Sequence, residues 1–255
     1  MVVRWFTFLI PLFCFGCNTV PPEHMRTFQD AQSAFDAGNY RQSAALYEQL
    51  LGKGVRSGAL YYNLGNAWAK ADEPVRAVAA YYLAKRYIPR DPHLEFNLNA
   101  VLKNHGGTLP PPPLSLPDSS LVGFLFFWQN WVGFQTKIWV SLTLTALAVS
   151  GGVLFLFRQS RRLKRGLLGA AILAGIALAS TGYDWYRFEG VRQVVVTTNT
   201  LPRKGNSEEY EPAFISPIPF GTLAVELDER SGWCLLRFPD GQEGWLPLSQ
   251  MSPLQ

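Results

Sequence analysis

Two uncharged apolar stretches, 138–157 and 166–183, constrain this chain more than anything else in it. The first has 20 residues and the second 18, against the roughly 20 that a helix needs to cross the hydrocarbon core of a bilayer. Between them Arg158, Arg161, Arg162, Lys164 and Arg165 place five of the chain's 23 basic residues within eight positions. A short loop rich in Arg and Lys stays on the cytoplasmic side. The pattern therefore predicts a hairpin of two spans, 137–157 and 166–186, around a cytoplasmic basic loop, 158–165. The soluble parts before and after it then lie on the outer, periplasmic side of the cytoplasmic membrane. Neither apolar stretch carries an internal charge, which argues against an ion or proton path. The small residues Gly151, Gly152, Gly169, Ala170 and Gly175 would let the two helices approach closely.

The extreme N-terminus predicts the same side independently. Residues 1–17 have a basic start at Arg4, a short apolar run and a small residue, Gly16, before Cys17, the three parts of an export signal. Gly16-Cys17 resembles the end of a bacterial lipobox, which makes Cys17 a lipidation candidate. Cys14 and Phe15 depart from the usual leucine and small residue of that motif. Ordinary cleavage and an uncleaved anchor are the other two readings. Of the three cysteines only Cys234 lies in a folded region, and it reads as a small buried apolar residue.

Between these segments the chain repeats itself with a period of 34 residues. Tyr47 falls on Tyr81, Ser43 on Ala77, Gly38 on Asp72, Asn63 on Asn97 and Leu64 on Leu98. In the second copy Leu64, Gly65, Trp68, Ala77, Tyr81, Ala84 and Pro89 alternate large, small and aromatic positions. Small residues let paired helices approach, and Pro89 ends the second helix because it has no N–H to continue it. Region 26–105, with a single helix after the second copy, resembles the tetratricopeptide repeat. That resemblance implies a concave face that binds peptides, with Asn63, Asn66 and Asn97 on it. Carboxamides offer both a donor and an acceptor to an extended backbone. The alternative is that these asparagines bond neighbouring helices to one another. The set of lysines and arginines needed to clamp a free carboxylate cannot be placed on this face.

A Pro-rich linker, 106–120, follows, with LPPPPLSLP at its centre. It reads as a semi-rigid polyproline spacer, or as a ligand for a proline-binding groove. Residues 121–136 are aromatic and too short to span, and read as an interfacial helix. Past Gly190 the pattern becomes β: β-branched at 194–198, alternating at 222–227 and 233–238, with turn signals such as Asp240-Gly241. Gly221, Trp233, Asp240, Gly241, Gly244 and Trp245 give region 190–254 a resemblance to the bacterial SH3-like barrel. The two tryptophans either line a ligand groove or fill a core that has little else to bury. The polar stretch 201–214 is either a specificity loop or an insertion.

The fold class expected is thus multidomain: an all-α repeat, a two-helix transmembrane hairpin and a small all-β barrel. This order of modules resembles the BatE-type proteins of bacterial aerotolerance clusters. The resemblance implies a non-enzymatic envelope adaptor beside membrane-anchored von Willebrand A-domain proteins. A cell-wall tether, in which the barrel grips peptidoglycan, is the alternative. His24, His93 and His105 have no metal-ligand spacing, and no nucleophile or phosphate-loop motif stands out, so neither a metal, a cofactor nor an enzymatic activity is expected. A net charge of +4, with no basic stripe on a soluble part, argues against nucleic acid.

Overall fold

The computed structural model describes residues 22–108 and 131–254. The export signal with Cys17, the Pro-rich run 109–117 and positions 121–130 of the expected interfacial helix lie outside the described residues. The described residues divide into two compact units: 134–182, and a head made of 22–108 and 131–133 together with 183–254.

In the head, a short 3-10 turn, Pro22–His24, leads into five helices: α1 (Met25–Asp36), α2 (Tyr40–Gly52), α3 (Gly58–Lys70), α4 (Pro74–Tyr87) and α5 (Pro92–Asn104). They pack in sequence order as the pairs α1/α2 and α3/α4, with α5 against α4. Their starts are written in the sequence. Ser57 Oγ accepts from Leu60 N at 3.1 Å, and Asp91 Oδ1 accepts from His93 N and Leu94 N, both at 2.9 Å. Such caps satisfy amides that a helix leaves unpaired, and Pro74 and Pro92 fit the first helical turn for the same reason.

Their ends follow one rule. Gly38, Gly54, Asp72 and Gly106 have φ of +80°, +82°, +60° and +76°. Each closes a helix with paired backbone bonds, as in Asn39 N to Ala34 O at 2.9 Å and Gly38 N to Phe35 O at 2.9 Å. This is a left-handed C-terminal cap. Gly38 and Asp72, which the repeat aligns, thus share one backbone conformation. Only α4 ends differently, at Tyr87, two residues before Pro89. Helix α5 buries one stripe, Leu94, Leu98 and Leu102. Helix α4 is buried nearly all round, from Ala77 to Ala84, because it has neighbours on several sides.

One of those neighbours is the C-terminal sheet. Its strands are β1 (Gln193–Val196), β2 (Leu223–Arg230), β3 (Trp233–Arg237), β4 (Glu243–Pro247) and β5 (Met251–Pro253), all antiparallel in the order β4-β3-β2-β1-β5. Ser231 and Gly232, at φ +50° and +80°, make the two-residue turn between β2 and β3, a twist that suits a tight hairpin. At the next turn Gly241 supplies φ +84°, and Asp240 Oδ1 accepts from Gln242 N at 3.0 Å. Segment 201–214 is ordered. Arg203 exchanges backbone bonds with Trp245 at 2.9 and 2.8 Å, and Gly244 makes room for it. A Cβ on Gly244 would sit 2.7 Å from Pro202 and 3.0 Å from Phe214.

The sheet core holds Val194, Val196, Ala224, Cys234, Leu236, Phe238 and Leu246. Trp233 and Trp245 are half-buried and outside that cluster. Strand alternation places them, with Leu235, opposite Cys234, Leu236 and Leu246. The small core is therefore filled by aliphatic side chains and Phe238 rather than by the tryptophans.

Strand β1 does not alternate: Val194, Val195 and Val196 are all buried. Val194 and Val196 face the sheet core, whereas Val195 belongs to the core of the helices, together with Phe220. A strand buried on both faces reads as a continuous β-branched run, which is what the sequence shows here. Gly221 sits in the same contact at φ +78°, where a Cβ would fall 2.1 Å from Leu102. The helices and the sheet thus form one body. Trp131–Gly133 and Phe188 join it at the end of α4. Arg90 lies 3.9 Å over Trp131 and Arg86 4.8 Å over Phe188, and a Cβ on Gly133 would meet Tyr87 O at 2.1 Å.

The other unit contains α6 (Phe134–Phe157) and the larger part of α7 (Arg161–Glu189). Stretches of 24 and 26 residues in them are long and apolar enough to cross a membrane, and side chains such as Val149, Leu156 and Leu168 point outward. The helical rise makes these spans about 36 to 39 Å long. Only residues 158–160 separate the two helices; Arg161, Arg162, Lys164 and Arg165 belong to the first turns of α7 rather than to a loop. Ser160 explains the difference, because its Oγ accepts from Leu163 N at 3.1 Å and caps the helix early. Ser141 Oγ and Thr181 Oγ1 share a hydrogen bond of 2.8 Å across the pair. Of the glycines expected to allow close approach, Gly151 does so, with Leu167 2.5 Å from its would-be Cβ. Gly152, Gly169 and Gly175 face open space.

Candidate functional site

The repeat places the same constellation twice, 34 residues apart. Phe28 packs edge-on against Tyr47 with ring centroids 5.5 Å apart, and Tyr62 lies 6.2 Å from Tyr81 at a 43° tilt. Both tyrosines are almost fully buried, at 1% exposure. Gly65 admits the second ring, since a Cβ there would lie 2.5 Å from Tyr81 Cδ1 and Cε1. Ala31, the equivalent position one repeat earlier, is itself fully buried. Leu64, Trp68, Ala77 and Ala84 complete the same core.

Above these rings stand the carboxamides. Tyr81 donates its hydroxyl to Asn66 Oδ1 at 2.8 Å. Asn97 Nδ2 donates to Asn66 Oδ1 at 2.8 Å and to Tyr62 Oη at 3.0 Å. The asparagines thus bond neighbouring helices, and the same bonds fix which way each amide points. Asn66 Nδ2 and Asn97 Oδ1 are the two groups left outside this network, one donor and one acceptor.

The equivalent junction one repeat earlier borders a cleft. Gln32, Phe35, Asp36, Tyr47, Asn63 and Asn66 line a cleft of about 220 Å³. Burial pushes the Tyr47 phenol up to about 12, against smaller opposing pulls from the Asn63 and Ser43 side chains; the Asp36 carboxylate adds to the rise. The hydroxyl is therefore a neutral donor and acceptor at any ordinary pH. Gln32, Asp36 and Tyr62 were not singled out from the sequence as site residues. The signal was there, because Gln32 and Tyr62 stand 34 residues from Asn66 and Phe28 respectively.

On the sheet, Gly221 belongs to the contact with the helices and Gly244 to the packing of segment 201–214. Asp240 and Gly241 form an exposed turn. Trp233 and Trp245 remain as a half-buried aromatic pair on the face away from the sheet core, with Trp245 opposite Leu235 and Trp233 opposite Pro247. The Cys234 thiol is buried, and burial, with Glu226, Glu229 and Asp228 adding to it, pushes it up to about 12, far from the range of a reactive thiolate. Among the described residues no group of three or more His, Cys, Asp or Glu is placed to hold a metal ion. No protein-family model matches this chain, and no curated protein matches it either.

Proposed function

We propose that this protein is a membrane-anchored, non-enzymatic adaptor. Its tetratricopeptide-type helices and SH3-like sheet form one head, held outside the cytoplasm by the α6–α7 hairpin. The observation that carries the binding role is the oriented pair of carboxamides. The hydrogen bonds from Tyr81 and Asn97 hold Asn66 and Asn97 so that one free donor and one free acceptor remain, the complement of a peptide group. The shared core of helices and sheet supports the disposition. Segments on either side of the hairpin pack into one body, which supports a common side for both, and the basic cluster supports the outer side for them. The resemblance to BatE-type proteins points to membrane-anchored von Willebrand A-domain proteins as partners.

Two measurements test this. A periplasm-active reporter is expected to be active when fused after Gln255 and inactive at Gln159; the reverse removes the outer placement of the head, and activity at both removes the hairpin. Capture of a partner from envelope extracts is expected to be lost on changing Asn66 and Asn97 to Ala, and unchanged capture removes the groove. A second reading, a peptidoglycan tether, is favoured by the half-buried Trp233 and Trp245 on the outer sheet face, because aromatic faces pack well on sugar rings. Sedimentation of the full chain with purified sacculi, lost in Trp233→Ala and Trp245→Ala, would favour it over the adaptor.

A further inference from the structure

The two junctions of the helical repeat differ in one chemically telling way. At the second, Asn66, Tyr81 and Asn97 close on one another through hydrogen bonds of 2.8 Å, with Tyr62 added at 3.0 Å. At the first, the matching residues Gln32, Tyr47 and Asn63 border the cleft of about 220 Å³. The charge at the edge also changes, since Asp36 stands where the second copy has Lys70.

Asp36 is the last residue of α1, whose final turn carries no basic residue. A carboxylate there faces the negative end of the helix dipole, which is an electrostatically unfavourable place for it. Among the described residues no Lys or Arg lines the cleft. Arg41, at the start of α2, is paired with Glu73 at 3.3 Å. A cation entering the cleft would neutralise both Asp36 and the helix terminus, with the Phe35 ring available to an aliphatic stem. Carboxamides and a hydroxyl surround that position for the flanking backbone.

We propose that the cleft between α1 and α3 is a pocket for the side chain of a lysine or arginine in an extended peptide ligand. This rests on the reading of the helical face as peptide-binding, and it assigns the register and charge class of the ligand. A neutral or acidic peptide gains nothing at Asp36.

The probe is an array of synthetic nonapeptides of randomised sequence, overlaid with the full chain in detergent. Bound peptides are expected to be enriched in Lys or Arg at one position by about fivefold, the effect of one partly exposed ion pair. Asp36→Asn should erase that enrichment and leave total binding in place, and Asn63→Ala should lower total binding. Because Asp36 is exposed, the Asn variant keeps the fold, and unchanged helical circular dichroism checks this. Bound peptides with no cationic preference, or a preference that survives Asp36→Asn, overturn the pocket while the peptide-binding reading stands. Absence of binding to every peptide, or binding indifferent to Asn66→Ala and Asn97→Ala, overturns both.

Discussion

The Tyr82 hydroxyl donates a buried hydrogen bond of 2.8 Å to the Gly221 carbonyl, 139 residues further along the chain. The two groups lie on opposite sides of the long apolar hairpin in sequence and in the same core in space. Tyr82→Phe keeps the ring and removes the donor, so a buried carbonyl is left unpaired. The expected loss is about 1 to 2 kcal/mol, read by urea unfolding of the full chain in detergent. Equal stability of the variant would mean that helices and sheet are not held together there.

Gly65→Ala places a methyl 2.5 Å from a Tyr81 ring that is 1% exposed. A ring so enclosed has nowhere to go, and overpacking of this kind costs about 1 to 3 kcal/mol. Combining the change with Tyr81→Leu should cost less than the sum of the two single changes, because they remove the same clash. Strict additivity would place the strain elsewhere.

The matched helix ends at Gly38 and Asp72 predict opposite outcomes for matched substitutions. Gly38→Ala forces a side chain into φ +80° and should lower stability by about 1 kcal/mol. Asp72→Gly relieves φ +60° at an exposed position and should raise it by about 0.5 kcal/mol. Thermal unfolding midpoints moving in the same direction would contradict the shared cap.

Alkaline pH should unfold the head through its tyrosines. Burial raises Tyr47 and Tyr61 from 10.0 to about 12, and raises Tyr81, Tyr82 and Tyr87 as well. The unfolded chain therefore loses these protons at a lower pH than the folded one. The stability they contribute is complete below pH 10 and is lost as pH climbs towards 12. The share of tyrosinate absorbance at 295 nm that these five of the ten tyrosines contribute should rise together with loss of helical circular dichroism, rather than ahead of it.

The helices could be read from the sequence because their signals are local. Ser57 and Asp91 cap, Pro74 and Pro92 start, and the 34-residue period brings Tyr47 onto Tyr81. The strands were legible for the same reason, through alternation and the turn at Asp240-Gly241. What could not be read that way depends on partners far along the chain. Trp233 and Trp245 are large and apolar, yet the phase of the strand turns them away from the sheet core. The basic cluster looks like a loop until the Ser160 cap draws most of it into α7. The asparagines were found by their spacing, but whether their amides are bonded or free depends on Tyr62 and Tyr81. The union of helices and sheet had one local trace, the unbroken Val194-Val195-Val196 run, whose middle residue needed a second core to enter.

That second core sets an order of events during synthesis. Val78, Tyr82 and Leu102 are made early, but Val195, Phe220 and Gly221, which complete their surroundings, follow only after α6 and α7 have been translated. Until then the growing chain carries an apolar wound on α4 and α5 that nothing local can dress. A chain that stalls at the hairpin keeps that wound open. The two apolar helices thus stand, in the order of synthesis, between the opening of that core and its closure.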